Sequence, residues 1–178
     1  MTMQMETIIT RRECTGLQVP IGNTVTIPKG SMVNITQALG NSFSINYQGN
    51  LIRIDGKDAD ALGKESEILQ FAADPHGNIN EEDIWETLKT CYDPEIPVNI
   101  VDLGLIYSCA IDNTKKSIAI QMTLTAPGCG MGDVLAKEIE HKLQQIPHVQ
   151  KVHIDLVFDP PWDRDRLSDV AKLQLGLF

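Results

Sequence analysis

Between Lys116 and Phe158 the apolar residues change period twice, and this restricts the fold more than any other feature of the chain. In "KSIAIQMTLT", Ile118, Ile120, Met122 and Leu124 share one face of an extended strand, and Gln121, Thr123 and Thr125 share the other. From about Asp133 to Gln144 the spacing becomes helical, with Leu135, Ile139 and Leu143 on one stripe and Pro147 as the stop. "VQKVHIDLVF" then alternates again and directs Val152, Ile154, Leu156 and Phe158 inward. Strand, helix and strand in this order predict a right-handed parallel crossover.

The segments before this unit extend it. "NINEEDIWETLKTCYDP" reads as a helix with Asn80 as N-cap and acids in its first turn, Asp83 at the third position. Ile84, Leu88 and Cys91 recur at helical spacing, and Pro94 and Pro97 prevent continuation. "LGLIYSCAID" pairs across "NTKK" with the strand that follows, so Cys109 alternates with Leu105, Tyr107 and Ile111 as packing. Residues 79–178 are therefore expected to form an αββαβ two-layer sandwich, helices on one face, ending in a helical tail.

Residues 1–78 have a different character. "TVTIPKG", "SMVNITQAL", "SFSINYQ" and "NLIRID" are short strand-like segments punctuated by "PKG", "LGN" and "QGN". They predict a small β-rich barrel or sandwich. "DGKDADALGKESEILQ" reads as a turn and a short helical piece, and "FAADPHGNIN" as a linker, which places a boundary near residue 78. The overall class is α+β.

A net charge of −9 argues against a nucleic-acid backbone as partner, which needs a basic face. No run reaches the apolar length of a membrane span, and "MTMQMETIITRREC" lacks the order of a signal peptide, so a cytoplasmic protein is expected. Cys14, Cys91, Cys109 and Cys129 are then free thiols, and none stands in the close pair of a structural zinc site.

One thiol is set apart. In "TLTAPGCGMGDVL", Cys129 stands where a strand gives way to a helix, among Pro127, Gly128, Gly130 and Gly132. Backbone N–H groups at a helix start stabilise a thiolate, and small neighbours leave the sulfur accessible. The alternative is a tight turn that merely tolerates a small residue. A second group, Asp93, Glu95 and Asp102 in "DPEIPVNIVDLGLIY", lines a polar pocket or caps the backbone that follows, as Asp does in turns. Carboxylates beside a thiolate are easier to accommodate with a cation between them. A cysteine enzyme would need a base near the thiol, and His76, His141, His148 and His153 are poorly placed to supply one.

These stretches, with "VHIDLVFDPPWDRDRLSDVAKLQLGLF", resemble SufT-type iron–sulfur cluster assembly proteins. The wider family includes the small subunit of the cytosolic iron–sulfur targeting complex, PaaD-like proteins and domains attached to Mrp-type carrier ATPases. The likeness covers about residues 80–178, and the leading half resembles the extension of SufT proteins. It implies that Cys129 is the cluster-binding cysteine, that Asp93, Glu95 and Asp102 form the acidic motif, and that Thr123 is the strand threonine of the site. Gly130 stands where many members have proline, which leaves the loop less stiff.

The resemblance implies a maturation factor, not an enzyme, that carries or helps transfer a transient iron–sulfur cluster. Clusters are commonly held by four thiolates, so one cysteine must share its cluster with a partner or a second chain. Expected partners are apo iron–sulfur proteins, a scaffold or Mrp-type carrier ATPase, and a second copy in a homodimer. The alternative is an adaptor that recruits targets and carriers without holding a cluster.

Overall fold

The computed structural model describes residues 5–19, 21–66, 69–93, 96–126 and 131–177. The chain divides into two compact units, Met1–Ile68 and Leu69–Phe178.

The first unit is one antiparallel sheet of six strands: β1 (Glu6–Ile9), β2 (Cys14–Val19), β3 (Thr24–Ile27), β4 (Met32–Leu39), β5 (Ser42–Tyr47) and β6 (Asn50–Asp55). Their spatial order is β1-β4-β5-β6-β2-β3, so the expected β-rich character holds, while the strands form one open sheet with β1 and β3 at its edges instead of a closed barrel or two packed sheets. Two of its turns are legible in the residues. Gly40 with Asn41, and Gln48 with Gly49, have positive φ and form two-residue connections that match the twist of the flanking strands. Ile27, Ile35, Ile45, Ile52 and Ile54 fill the core, and a 3-10 turn over Gly56–Leu62 adds Ala59, Ala61 and Leu62. Strands β1 and β2 were not expected from the sequence. In β2 the apolar pattern is broken by Gly16, where a Cβ would lie 2.6 Å from the Arg53 carbonyl oxygen and 2.5 Å from the Ile52 side chain. The glycine permits a close approach of β6.

The second unit contains α1 (Glu81–Leu88), β7 (Ile106–Asp112), β8 (Ser117–Met122), α2 (Met131–Leu143), β9 (Lys151–Leu156) and α3 (Asp169–Gln174). Its sheet runs β7-β8-β9, with β7 antiparallel to β8 and β8 parallel to β9. The parallel pair is the expected crossover. Asn80 caps α1 by accepting from Glu82 N–H at 2.9 Å, with Glu81, Glu82 and Asp83 in the first turn. Ile84, Leu88 and Cys91 from the first helical segment, Ile118, Ile120 and Met122 from β8, and Leu135, Ile139 and Leu143 from α2 meet in one buried cluster. The segment read as a linker packs on this unit. Ile79 is buried in the same cluster, and its N–H donates to Asn113 Oδ1 at 2.8 Å.

One packing expectation needs correction. Phe158, expected inward, is 42% exposed. The β8–β9 ladder stops at Met122 and Leu156, and "DPP" then turns the chain away. Cys109 packs against the core cluster as expected, and it is half-buried on β7, an edge strand whose register shifts between Ile106 and Ser108.

Candidate functional site

Asp93 and Asp102 sit between α1 and β7. Tyr92 bridges to Asn99, and Ile100 N–H donates to the Cys91 carbonyl at 2.9 Å, which pins these two stretches together. Asp93 is buried beside this pairing, where its Oδ1 accepts from Ile96 N–H at 3.1 Å. This is the turn-capping geometry that Asp adopts readily.

Asp102 is engaged on every side. Its Oδ2 accepts from Asn99 Nδ2 at 2.6 Å, and its own N–H donates to Asn99 Oδ1 at 2.9 Å. Its Oδ1 accepts from Ser168 Oγ at 2.9 Å, and its carbonyl accepts from Ser168 N–H at 2.8 Å. Ser168 is the N-cap of α3 and accepts from Ala171 N–H at 3.1 Å. The carboxylate therefore joins the loop to the C-terminal segment.

Further contacts make that junction rigid. Trp162 Nε1 donates to the Leu103 carbonyl at 2.7 Å, and the Tyr107 hydroxyl donates to the Pro160 carbonyl at 2.7 Å. The Arg166 guanidinium lies 4.5 Å above the Tyr107 ring, a cation–π contact. Gly104, at φ +73°, admits the Arg166 backbone, whose carbonyl would be 2.3 Å from a Cβ there. "DLGLIY" is thus the seat on which "DPPWDRDRLS" rests.

Thr123 follows β8 and is fully buried. Its N–H donates to the Leu105 carbonyl at 2.9 Å, which ties the acidic loop to the strand end from which the cysteine loop departs. Its hydroxyl has no hydrogen-bond partner among the described residues. Leaving such a group unsatisfied costs about 1–3 kcal/mol, so it marks a place needing an explanation. Beyond the loop, Gly132 lets the start of α2 press close, since a Cβ there would be 2.8 Å from Leu156 and 2.9 Å from Leu124.

Asp93, Asp102 and Thr123 are thus connected through one run of backbone pairing around Asn99 and Leu105. Glu95, Cys129 and its neighbours Pro127, Gly128 and Gly130 lie outside the described residues. Among the described residues no three His, Cys, Asp or Glu side chains group to hold a metal ion. The described thiols are protected. Burial raises the Cys109 pKa, with a smaller contribution from Glu81, and burial raises that of Cys14, with Asp58 next. Cys91 is fully buried and its Sγ donates to the Thr87 carbonyl at 3.6 Å.

Asn99 and Ser168 were absent from the sequence-based site, yet both hold Asp102. A local signal existed for Ser168, which precedes the acid and apolar run "DVAKL" as an N-cap does. Asn99 carries no such mark. No described helix is long and apolar enough to cross a membrane.

Residues 81–155 match the family described as iron–sulfur cluster assembly protein. A Porphyromonas gingivalis protein named Fe-S protein maturation auxiliary factor is 45% identical over 96 residues, which are 54% of this chain and 90% of that protein. The Bacillus subtilis Fe-S protein maturation auxiliary factor YitW is 37% identical over 97 residues, 54% of this chain and 94% of that protein. A crystal structure of a domain of unknown function, DUF59, from Bacillus anthracis is similar with a TM-score of 0.51 and 33% identity, over 55% of this chain and 92% of that chain. The α+β second unit, its acidic loop seated against the end of β8, and these similarities agree, and the chain belongs to the iron–sulfur cluster assembly protein family.

Proposed function

We propose that this protein is a maturation factor that carries or helps transfer iron–sulfur clusters to apo-proteins through Cys129. The similarity to a maturation auxiliary factor over nine-tenths of that protein's length carries the reading. The cluster is cargo. One thiolate cannot close a site that commonly takes four, so the cluster is shared and readily passed on. The unpartnered Thr123 hydroxyl, beside the acidic loop, supports including Thr123, Asp93, Glu95 and Asp102 in the supporting pocket. Residues 79–178 are the assembly domain in this reading, an αββαβ sandwich with its tail, and residues 1–78 are an added β-rich extension. The setting is cytoplasmic, the donor a scaffold or Mrp-type carrier ATPase, and the holder a homodimer supplying two Cys129 sulfurs.

One observation favours a second reading. Both Asp102 carboxylate oxygens are already bonded, which suits an adaptor whose acidic loop shapes a docking surface. Anaerobic reconstitution with iron and sulfide separates the two. A carrier develops a cluster chromophore that disappears in Cys129→Ala, whereas an adaptor stays colourless and still binds its partners.

A further inference from the structure

Among the described residues, strand β1 is paired with β4 along one side only. Thr10 N–H, one residue past its end, donates to the Ser31 carbonyl. In an antiparallel ladder bonding direction alternates, so the N–H and C=O groups of Thr7 and Ile9 face the open side. Side chains alternate as well. Ile8 packs on the core, while Thr7 and Ile9 share the outer face with their cross-strand partners Asn34 and Met32. Met5, Ile9 and Met32 are 71%, 61% and 70% exposed, which gathers most of this unit's large exposed apolar side chains at one edge.

A groove of about 470 Å³ borders this edge, between β1 and the turn at Leu62, Gly63 and Lys64. Lys64 is neutralised there by Glu6 at 2.6 Å. The Arg11 guanidinium lies on Gly63, where a Cβ would be 3.0 Å from Cζ. Among the described residues no carboxylate balances this positive charge, on a chain of net charge −9.

We propose that this edge receives an extended segment of a partner protein, with apolar residues alternating with carboxylates, added to β1 as a further strand. Its backbone pairs with Thr7 and Ile9, its apolar side chains cover Met5, Ile9 and Met32, and a carboxylate meets the planar fork of Arg11. A second copy of β1 lacks the matching charge. Covering Met5, Ile9 and Met32 with apolar residues turns the alternate residues of the added strand to the other face, where β1 itself carries only one acid, Glu6, already held by Lys64 at 2.6 Å. This interface does not depend on cluster binding by Cys129.

The test uses the full chain and two fluorescein-labelled peptides, Val-Asp-Ile-Asp-Val-Asp and its counterpart with Lys for Asp, followed by anisotropy and amide hydrogen exchange. The acidic peptide is expected to bind saturably and to slow exchange at Thr7 and Ile9. Ile9→Asp and Arg11→Glu should each weaken it by about tenfold or more, because the first removes apolar contact and adds a like charge and the second reverses the charge match. Both positions are exposed, so the variants should keep the parent's far-ultraviolet dichroism. Absence of saturable binding, equal binding of both peptides, or unchanged affinity in the two variants would overturn the proposal. So would a concentration-dependent dimer of the peptide-free protein that Ile9→Asp dissociates, since the occupant would then be a second copy.

Discussion

Asp102 and Ser168, 66 residues apart, hold each other through two hydrogen bonds, Ser168 Oγ to Asp102 Oδ1 at 2.9 Å and Ser168 N–H to the Asp102 carbonyl at 2.8 Å. The same serine caps α3, so the acidic loop and the last helix form one mechanical unit. Its partners Leu167 and Ala171 are buried in the core of the second unit, which anchors the helix from the other side.

Ser168→Ala removes the cap and the Asp102 bond together. The expected loss is about 1–2 kcal/mol, the upper range for a cap, read as a lower urea midpoint at unchanged slope. In a double-mutant cycle with Asp102→Ala the two losses should be strongly non-additive. Simple additivity would show that the contact contributes nothing.

Gly104→Ala places a methyl group into the Arg166 backbone and forces a non-glycine residue to φ +73°. The positive φ alone costs on the order of 1–2 kcal/mol, and the clash adds to it. The tail should leave its seat before the sheet unfolds. Increased solvent quenching of Trp162 fluorescence and faster proteolysis after residue 158 would report this, and a parent-like digestion pattern would refute it.

Asp102→Asn should impair target-enzyme maturation more than Glu82→Gln. Asp102 joins loop and tail, whereas Glu82 lies in the exposed first turn of α1. Equal maturation yields from the two variants would remove the acidic loop from the working site.

Cys91→Ala and Cys109→Ala should retain cluster-dependent activity, since both thiols pack against the core. Cys109 also gives a pH signature. Its folded-state pKa is raised by burial, so the unfolded chain releases the proton first as pH climbs. Its contribution to stability is complete below about pH 8.5 and declines above it. Cys109→Ala should therefore flatten the alkaline fall in stability, measured by denaturant titration between neutral and alkaline pH. An unchanged slope would contradict the assignment.

Reconstituted protein should carry about one cluster per dimer, because two sulfurs from two Cys129 residues leave positions open for an acceptor. Release to an apo-acceptor is expected in minutes, followed by visible absorbance and acceptor activity. A monomer that keeps a full cluster through desalting would sink this scheme.

Periodicity alone is enough to read the main elements of the second unit. Ile118, Ile120 and Met122 alternate, Leu135, Ile139 and Leu143 recur by helical turns, and the structure buries all six. Asp93 and Asp102, and through the family resemblance Thr123, are candidates that the fold connects around Asn99 and Leu105. Cys129 and Glu95 are candidates whose positions lie outside the described residues. Other features depend on long-range packing. Strand β2 exists because Gly16 lets it approach β6, a contact invisible to periodicity. Phe158 is exposed because the β8–β9 ladder ends two residues earlier. The attachment of Asp102 to Ser168 arises for the same physical reason: a hydrogen bond between distant residues leaves no local pattern, and only the packed chain brings donor and acceptor together.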